Sequence, residues 1–410
     1  GINFIIGIML ARLLSPTEYG LTGMIAIFIA ISEAFIDSGF TQALIRKPDC
    51  TQQDYSTVYY YNLAVGLFCY GILYLSAGLI SEYLNEKRLV WLIRVLAINL
   101  VINSFGIIQR IILIKKINFK LQAQISAASS VFSGLVGIGM ALGHCGVWSL
   151  VGLMISKNGS TVVLLQLGNQ WKPERAFSRA SFREMFGFGS KLLLSELLNT
   201  AYRNIYYLII GKYYSAESLG FYTRAEQFKN LPTQNITSIV QRVSYPVLAT
   251  LGGAPSQLKA GYKTLIKSTM LISFVMSIWM AAVAPTLVVA LIGPKWLPAA
   301  EYLSLLCMVG MFYPLNVLNL NLLKVLGRSD IYLKLEVIKK VLAVPIIAVG
   351  IYYGVKSMLW GMIVFSLVGY VLNSYWTGRF VNYSTLEQLR DVLPSFLVAS
   401  VTGGTVFLVT

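Results

Sequence analysis

The sequence predicts an all-α polytopic membrane protein built from two related halves, and three features carry that prediction. Of its 410 residues 56% are hydrophobic and 12% charged, with a mean hydropathy of +0.67, whereas a soluble domain carries roughly 25% charged residues. Windows free of Asp, Glu, Lys and Arg run over Tyr55–Ser81, Leu121–Ser156, Ser268–Pro294, Tyr302–Leu323 and Ser357–Gly378. Each reaches the ~20 residues that cross a hydrocarbon core. An eleven-residue segment recurs 200 positions further along the chain.

Apolar runs read against turn residues and charge clusters give thirteen spans in order. The first is Ile2 to Leu14, closed by Ser15-Pro16-Thr17-Glu18-Tyr19-Gly20. Leu21–Leu44, Tyr55–Ile80, Leu89–Ile114, Leu121–Leu142 and Val147–Leu167 follow, then a polar, basic connection over Asn169–Ser190. The seventh to ninth spans are Phe186–Tyr213, Ser218–Leu248 and Leu265–Ile292, the last containing Pro285. Tyr302–Val325, Ile331–Tyr352 and Met358–Phe380 complete the set, and a thirteenth begins near Val392. Helices are required throughout because lipid offers no partner for a free backbone amide. Since both ends read as lying inside apolar helices, the chain is expected to be truncated at both termini.

The net charge of +16 would suggest nucleic acid in a soluble protein, but here it resides in short connections, which excludes that partner and points to the phospholipid membrane. Of the 33 Lys and Arg, 21 fall on one set of alternate connections, 7 on the other and five within spans. Positive charge stays cytoplasmic, so the N-terminus is expected in the cytoplasm. Cys50, Cys69, Cys145 and Cys307 have no metal or redox spacing, and the lone His144 sits in a Gly-rich turn.

The repeat matches Leu10-Ala11-Arg12-Leu13-Leu14-Ser15-Pro16-Thr17-Glu18-Tyr19-Gly20 with Ile210-Gly211-Lys212-Tyr213-Tyr214-Ser215-Ala216-Glu217-Ser218-Leu219-Gly220, without a gap. A small residue, a cation, Ser and Gly recur in register. Each copy closes one span and opens the next, so spans one and two correspond to seven and eight. An even number of spans separates them, which makes the halves parallel repeats related by a pseudo-two-fold axis along the membrane normal. The expected division is a six-helix lobe over residues 1–168, a second over 169–380, and the start of additional C-terminal helices over 381–410.

Four segments carry a family resemblance: Leu10 to Gly20, the helix end Phe35-Ile36-Asp37-Ser38-Gly39-Phe40, the turn Gly146-Val147-Trp148-Ser149-Leu150, and Leu219-Gly220-Phe221-Tyr222-Thr223-Arg224-Ala225. Together they resemble the polysaccharide transporter family, the Wzx-type oligosaccharide flippases of the multidrug, oligosaccharidyl-lipid and polysaccharide exporter superfamily. The resemblance implies a V-shaped pair of six-helix lobes around a central cavity in the bacterial inner membrane. It also implies a substrate, undecaprenyl-diphosphate-linked oligosaccharide, moved to the periplasmic leaflet by alternating access during O-antigen or lipopolysaccharide biosynthesis. Association with polysaccharide polymerase machinery is an expectation of the same kind.

An ionisable side chain within a span costs ~2.5–3.5 kcal/mol on insertion scales, so it faces protein or a wet cavity. Span two carries Glu33 and Asp37, four apart on one face; span six carries Lys157; span seven carries Glu196 and Arg203; span eight carries Arg224, Glu226, Lys229 and Arg242. Polar stripes run through Glu196, Asn199, Arg203 and Tyr206, and through Arg224, Gln227, Gln234, Ser238, Gln241 and Tyr245. Such faces describe the wall of a water-filled cavity whose cations suit an anionic group. Arg224, Arg203, Lys229 and Arg242 are therefore candidate contacts for a diphosphate, which Arg holds through its planar fork. The other account of the same residues is a scaffold in which the Arg side chains pair with Glu196 or Glu226. Asp37, Glu33, Glu196 and Glu226 are coupling or pairing acids, with H+ or Na+ as the coupling ion. Tyr59, Tyr60, Tyr61 and Asn62 read either as an interfacial aromatic group or as sugar contacts.

Neither a Gly-rich phosphate loop nor a His/Cys metal pair is present in the sequence, and no connection is long enough to hold a catalytic domain. A transporter without cofactor is expected rather than an enzyme. The competing function is a cation-coupled multidrug or metabolite antiporter of the same superfamily, for which fewer cations and more acids are expected.

Overall fold

A computed structural model describes residues 1–169, 171–251 and 255–409. Among them there are only helices and connections. The first part of the chain forms α1 (Ile2–Leu13), α2 (Pro16–Asp37), α3 (Phe40–Arg46), α4 (Gln52–Tyr83), α5 (Leu89–Leu96), α6 (Ile98–Lys115), α7 (Phe119–Leu142), α8 (Trp148–Gly168) and α9 (Arg179–Tyr213). The rest forms α10 (Ala216–Leu251), α11 (Pro255–Ala282), α12 (Ala284–Ile292), a short 3-10 turn over Pro294–Trp296, α13 (Leu297–Gly310), α14 (Tyr313–Val325), α15 (Ser329–Tyr353), α16 (Val355–Val381) and α17 (Thr385–Val409).

Nine segments among the described residues are long and apolar enough to cross a bilayer, from Pro16–Arg46 to Thr385–Val409. Outward faces fit that medium. On α4, Phe68, Leu75 and Leu79 are 67%, 82% and 71% exposed, one continuous apolar face that water would not tolerate. Of the other expected spans, α1 has only 12 residues, while α9, α10 and α15 carry the ionisable residues that set them apart from a lipid-facing helix.

Four expected spans are broken rather than continuous. Proline accounts for two of them: Pro285 opens α12 and Pro314 opens α14, because proline lacks an N–H and clashes with the carbonyl one turn back. The break between α5 and α6 at Ala97 has no such cause in its sequence. Between α2 and α3 the chain turns through Ser38 and Gly39, both left-handed at φ 45° and 71°. Ser38 Oγ bonds to the Phe35 carbonyl and to the Tyr61 hydroxyl, the latter at 2.9 Å. Gly39 is required there twice over, since a Cβ would also lie 2.7 Å from the Gly189 carbonyl oxygen on α9.

Some helix starts carry side-chain caps. The Ser15 N–H donates to the Glu18 carboxylate at 2.6 Å, and the repeat cognate Ser215 accepts from the Ser218 N–H at 3.0 Å. Thr51 and Asp54 cap α4 reciprocally at 3.2 and 2.9 Å.

The described chain forms two compact units, Gly1–Gly220 and Phe221–Thr410. In the first, Phe40, Leu44, Tyr59, Ile108 and Ile111 make a core between α3, α4 and α6, with Phe182 and Phe188 of α9 laid against it. In the second, Tyr262, Met270, Phe274, Leu315, Leu318 and Tyr370 join α11, α14 and α16. A buried polar network threads that second core: Tyr262 Oη donates to Asn319 Oδ1 at 2.9 Å and Thr377 Oγ1 to the same oxygen at 2.5 Å. Three lysines of α11 meet two acids of α17, with Lys263 and Lys267 on Asp391 at 2.8 and 3.0 Å and Lys259 on Glu387 at 3.1 Å.

Candidate functional site

The break between α2 and α3 places the two acids of α2 at one cavity of about 280 Å³ with α6 on its other side. Glu33, Asp37 and Thr41 line it together with Asn103 and Arg110, and Ile36, Ile107, Ile111 and Ile114 supply its apolar wall. Asn103 Nδ2 donates to Glu33 Oε1 at 3.2 Å. Thr41, in the first turn of α3, donates its hydroxyl back to the Asp37 carboxylate, which ends α2. Arg110 reaches the same space without coming within ion-pair distance of either acid among the described residues. Polar groups so arranged can both donate and accept hydrogen bonds to a guest.

The sequence pointed to Glu33 and Asp37 through their spacing, and the structure brings both to one cavity. It did not point to Asn103, Thr41 or Arg110. A signal existed on α6, where Asn99, Asn103 and Arg110 are spaced by four and seven residues on one helical face. Its nearness to Lys115, Lys116 and Lys120 makes Arg110 read from the sequence as a connection cation. The polar line continues, since Asn158 Nδ2 of α8 donates to Asn99 Oδ1 at 3.1 Å.

The remaining candidate residues lie on α9 and α10. Arg203 donates to Glu196 at 2.6 Å, two turns away, and Thr200 donates to the same carboxylate at 3.2 Å. On α10, Arg224 donates to Gln227, and Lys229 stands 4.0 Å from Glu226. The Lys229 stem lies along α13, where a Cβ on Gly310 would be 3.1 Å from its Cδ. Arg242 is exposed. The side chains of Tyr245, which was counted in the α10 stripe, and of Lys191, counted among the basic residues, lie outside the described residues.

Tyr59 and Tyr61 belong to an aromatic cluster inside the first unit. Tyr61 meets Phe40 at 4.7 Å between ring centroids, and Tyr59 meets Trp171 at 5.8 Å; Asn62 is fully buried. The polar connection before α9 is fastened to the start of α4. Gln52 donates to the Lys172 carbonyl at 2.6 Å and accepts from the Trp171 indole at 2.6 Å. Ser56 and Thr57 accept from the Glu174 and Ser178 backbone at 2.9 and 3.0 Å. Lys47 pairs with Asp54 at 3.2 Å and Glu184 at 3.1 Å, and the Glu184 hydrogen bond holds its ammonium above the ordinary lysine range.

Fold and side-chain placement define a multi-pass helical membrane protein with ionisable residues inside its helical bundle. Residues 9–301 match the model of a family described as polysaccharide biosynthesis protein, and the chain belongs to that family. It is 26% identical over 398 residues to the teichuronic acid biosynthesis protein TuaB of Bacillus subtilis (strain 168), covering 96% of this chain and 82% of that one. It is 24% identical over 353 residues to the lipopolysaccharide biosynthesis protein WzxC of Escherichia coli (strain K12), covering 85% and 72%. Among solved structures, the inward closed conformation of the lipid II flippase MurJ superposes with a TM-score of 0.76 at 13% identity, covering 99% of this chain and 95% of that one. At that identity the likeness is one of fold.

Proposed function

We propose that this chain is a flippase that moves an undecaprenyl-diphosphate-linked oligosaccharide across the bacterial inner membrane by alternating access, and that it is a transporter rather than an enzyme. The observation that carries the reading is family membership over most of the chain, joined to relatives named for building teichuronic acid and lipopolysaccharide. The fold shared with a lipid II flippase supports it. The relatives matched along the sequence, named for polysaccharide synthesis, favour this reading over the multidrug antiporter; the fold alone does not separate the two, since a multidrug transporter of the MATE family shares it at a TM-score of 0.67.

Within this proposal the halves follow the repeat, with six-helix lobes over 1–168 and 169–380 and further helices from 381. Arg224 is the principal contact for the diphosphate, with Arg203, Lys229 and Arg242 as further cations and Asp37, Glu33, Glu196 and Glu226 as coupling or pairing acids. Arg203 is held by Glu196 and Lys229 stands near Glu226, so these two would exchange a protein carboxylate for a phosphate. H+ or Na+ would drive transport, and polymerase machinery would receive the product. The test is complementation: expression in a strain lacking its own flippase should restore surface glycan. Unrestored glycan, with the protein present in the membrane and the lipid-linked precursor accumulating on the cytoplasmic side, would defeat the proposal.

A further inference from the structure

We infer that the cavity at the α2–α3 break binds one neutral pyranose ring, and that on the flippase reading this ring belongs to the cargo glycan. Charge narrows the guest first. Glu33 and Asp37 on one wall oppose an anion such as phosphate, since a like charge at close range destabilises the charged guest. Arg110 on the same cavity offsets one of the two carboxylates, which disfavours a multivalent metal cation as the resident guest. What remains suited to both signs is a neutral molecule rich in hydroxyls, because each hydroxyl both donates and accepts. The carboxylates and Thr41 accept, while Asn103 and the Arg110 guanidinium donate.

Shape agrees with charge. Ile36, Ile107, Ile111 and Ile114 form an apolar side opposed to the polar groups, and a pyranose has C–H faces bordered by hydroxyl edges. A cavity of about 280 Å³ lies at the small end of small-molecule sites, the size range of one ring. The backbone supplies a separate argument. Non-helical backbone inside a membrane protein is tolerated where it is buried in protein or lines a cavity, and discontinuous helices form binding sites in transporters. Here Ser38 and Gly39 interrupt the helix directly after Asp37. Arg110 makes no hydrogen bond or close ion pair among the described residues and acts on Glu33 only through space, which leaves its guanidinium N–H groups open to a guest.

Saturation-transfer NMR on the purified chain in lipid nanodiscs tests this, with D-glucose, D-galactose, D-glucuronate and methylenediphosphonate, a diphosphate analogue whose CH2 protons report binding, as separate probes. A neutral hexose should receive saturation, glucuronate less and methylenediphosphonate none at this cavity. Asn103→Leu and Arg110→Gln should each weaken hexose binding by about tenfold or more, as a site built to bond hydroxyls does when a partner is lost. Thr41→Val provides a milder variant should either fail to fold, and it should weaken hexose binding in the same direction. Absence of transfer to both hexoses overturns the inference, and so does hexose transfer unchanged in all folded variants. Methylenediphosphonate transfer abolished by Arg110→Gln would instead make this an anion site. Complementation by the wild-type chain separates the two readings: hexose transfer that needs Asn103, without restored glycan, sinks the flippase reading and leaves the sugar site. Restored glycan with no hexose transfer does the reverse.

Discussion

Gly20 and Gly220 sit in reciprocal contacts: a Cβ on Gly20 would run into the Ala216 carbonyl, and a Cβ on Gly220 into the Pro16 carbonyl. Residues 16 and 216 are cognate in the repeat, as are 20 and 220, so the first turns of α2 and α10 meet through the same pair of positions taken in opposite order. That exchange is the signature of a two-fold relation between the two segments. Small residues permit such close backbone approach between helices in lipid.

Gly20→Ala and Gly220→Ala should each destabilise the protein by about 1–3 kcal/mol or more, because the obstructing atom is a backbone carbonyl and cannot rotate away. Gly78 has nothing within reach of an added Cβ, so Gly78→Ala is the neutral control. Thermal unfolding in detergent would show the difference, and an unchanged melting temperature for both variants would contradict the contact.

Gly39→Ala should be harmful for a different reason. The residue combines φ 71° with a Gly189 carbonyl 2.7 Å from the added carbon, so strain and overlap add. Lower membrane abundance is expected, and also faster proteolysis near α3, whereas Gly187→Ala on the neighbouring helix has open space and should be tolerated.

Asp391→Asn should loosen α17. Its carboxylate accepts from Lys263 and Lys267 and from the Tyr383 hydroxyl at 2.8 Å, and the amide would leave the α11 lysines facing one another with one acid fewer. Limited proteolysis should release a C-terminal fragment sooner than in the wild type. Equal digestion rates would show that apolar packing of α11 on α17 suffices.

Arg224→Lys should lose much of the transport activity although charge is kept, because the ammonium cannot bind phosphate oxygens in a fork. Arg224→Ala should lose nearly all of it at normal membrane abundance. If activity falls only in proportion to abundance, or returns in the double variant with Glu226→Gln, Arg224 is part of the scaffold.

Sidedness follows from the charge distribution. With Cys50, Cys69, Cys145 and Cys307 replaced, His144→Cys and Lys295→Cys should react with an impermeant thiol reagent on intact cells, and Lys172→Cys should react only after lysis. Labelling at 172 alone would invert the topology.

Much of this architecture was legible from composition because lipid leaves the chain few options, and every expected span is built of helix where described, four of them with a break. The breaks were legible only where proline caused them, at Pro285 and Pro314. Asp37-Ser38-Gly39 contains turn residues, yet a glycine near the end of an apolar run is also common inside membrane helices, and Ala97 carries no signal at all. The repeat identified cognate positions but not that positions 16 and 220 touch, since periodicity reports equivalence and not contact. Glu33 and Asp37 announced themselves by spacing. Arg110 did not, because a cation close to Lys115 and Lys116 reads as part of a connection.

The segment from Trp171 to Ser178, which joins the two repeats, is laced to the first turns of α4 by four hydrogen bonds. It therefore behaves as a seam rather than a tether. For anyone dividing the gene to express the halves apart, or inserting a reporter between them, this polar stretch is a poor place to cut despite its loop-like composition. An insertion there would unpick α4 as well as lengthen a linker. The exposed turn at His144 and Cys145, which is short and bonded mainly within itself, offers a site where added residues would disturb only their immediate neighbours.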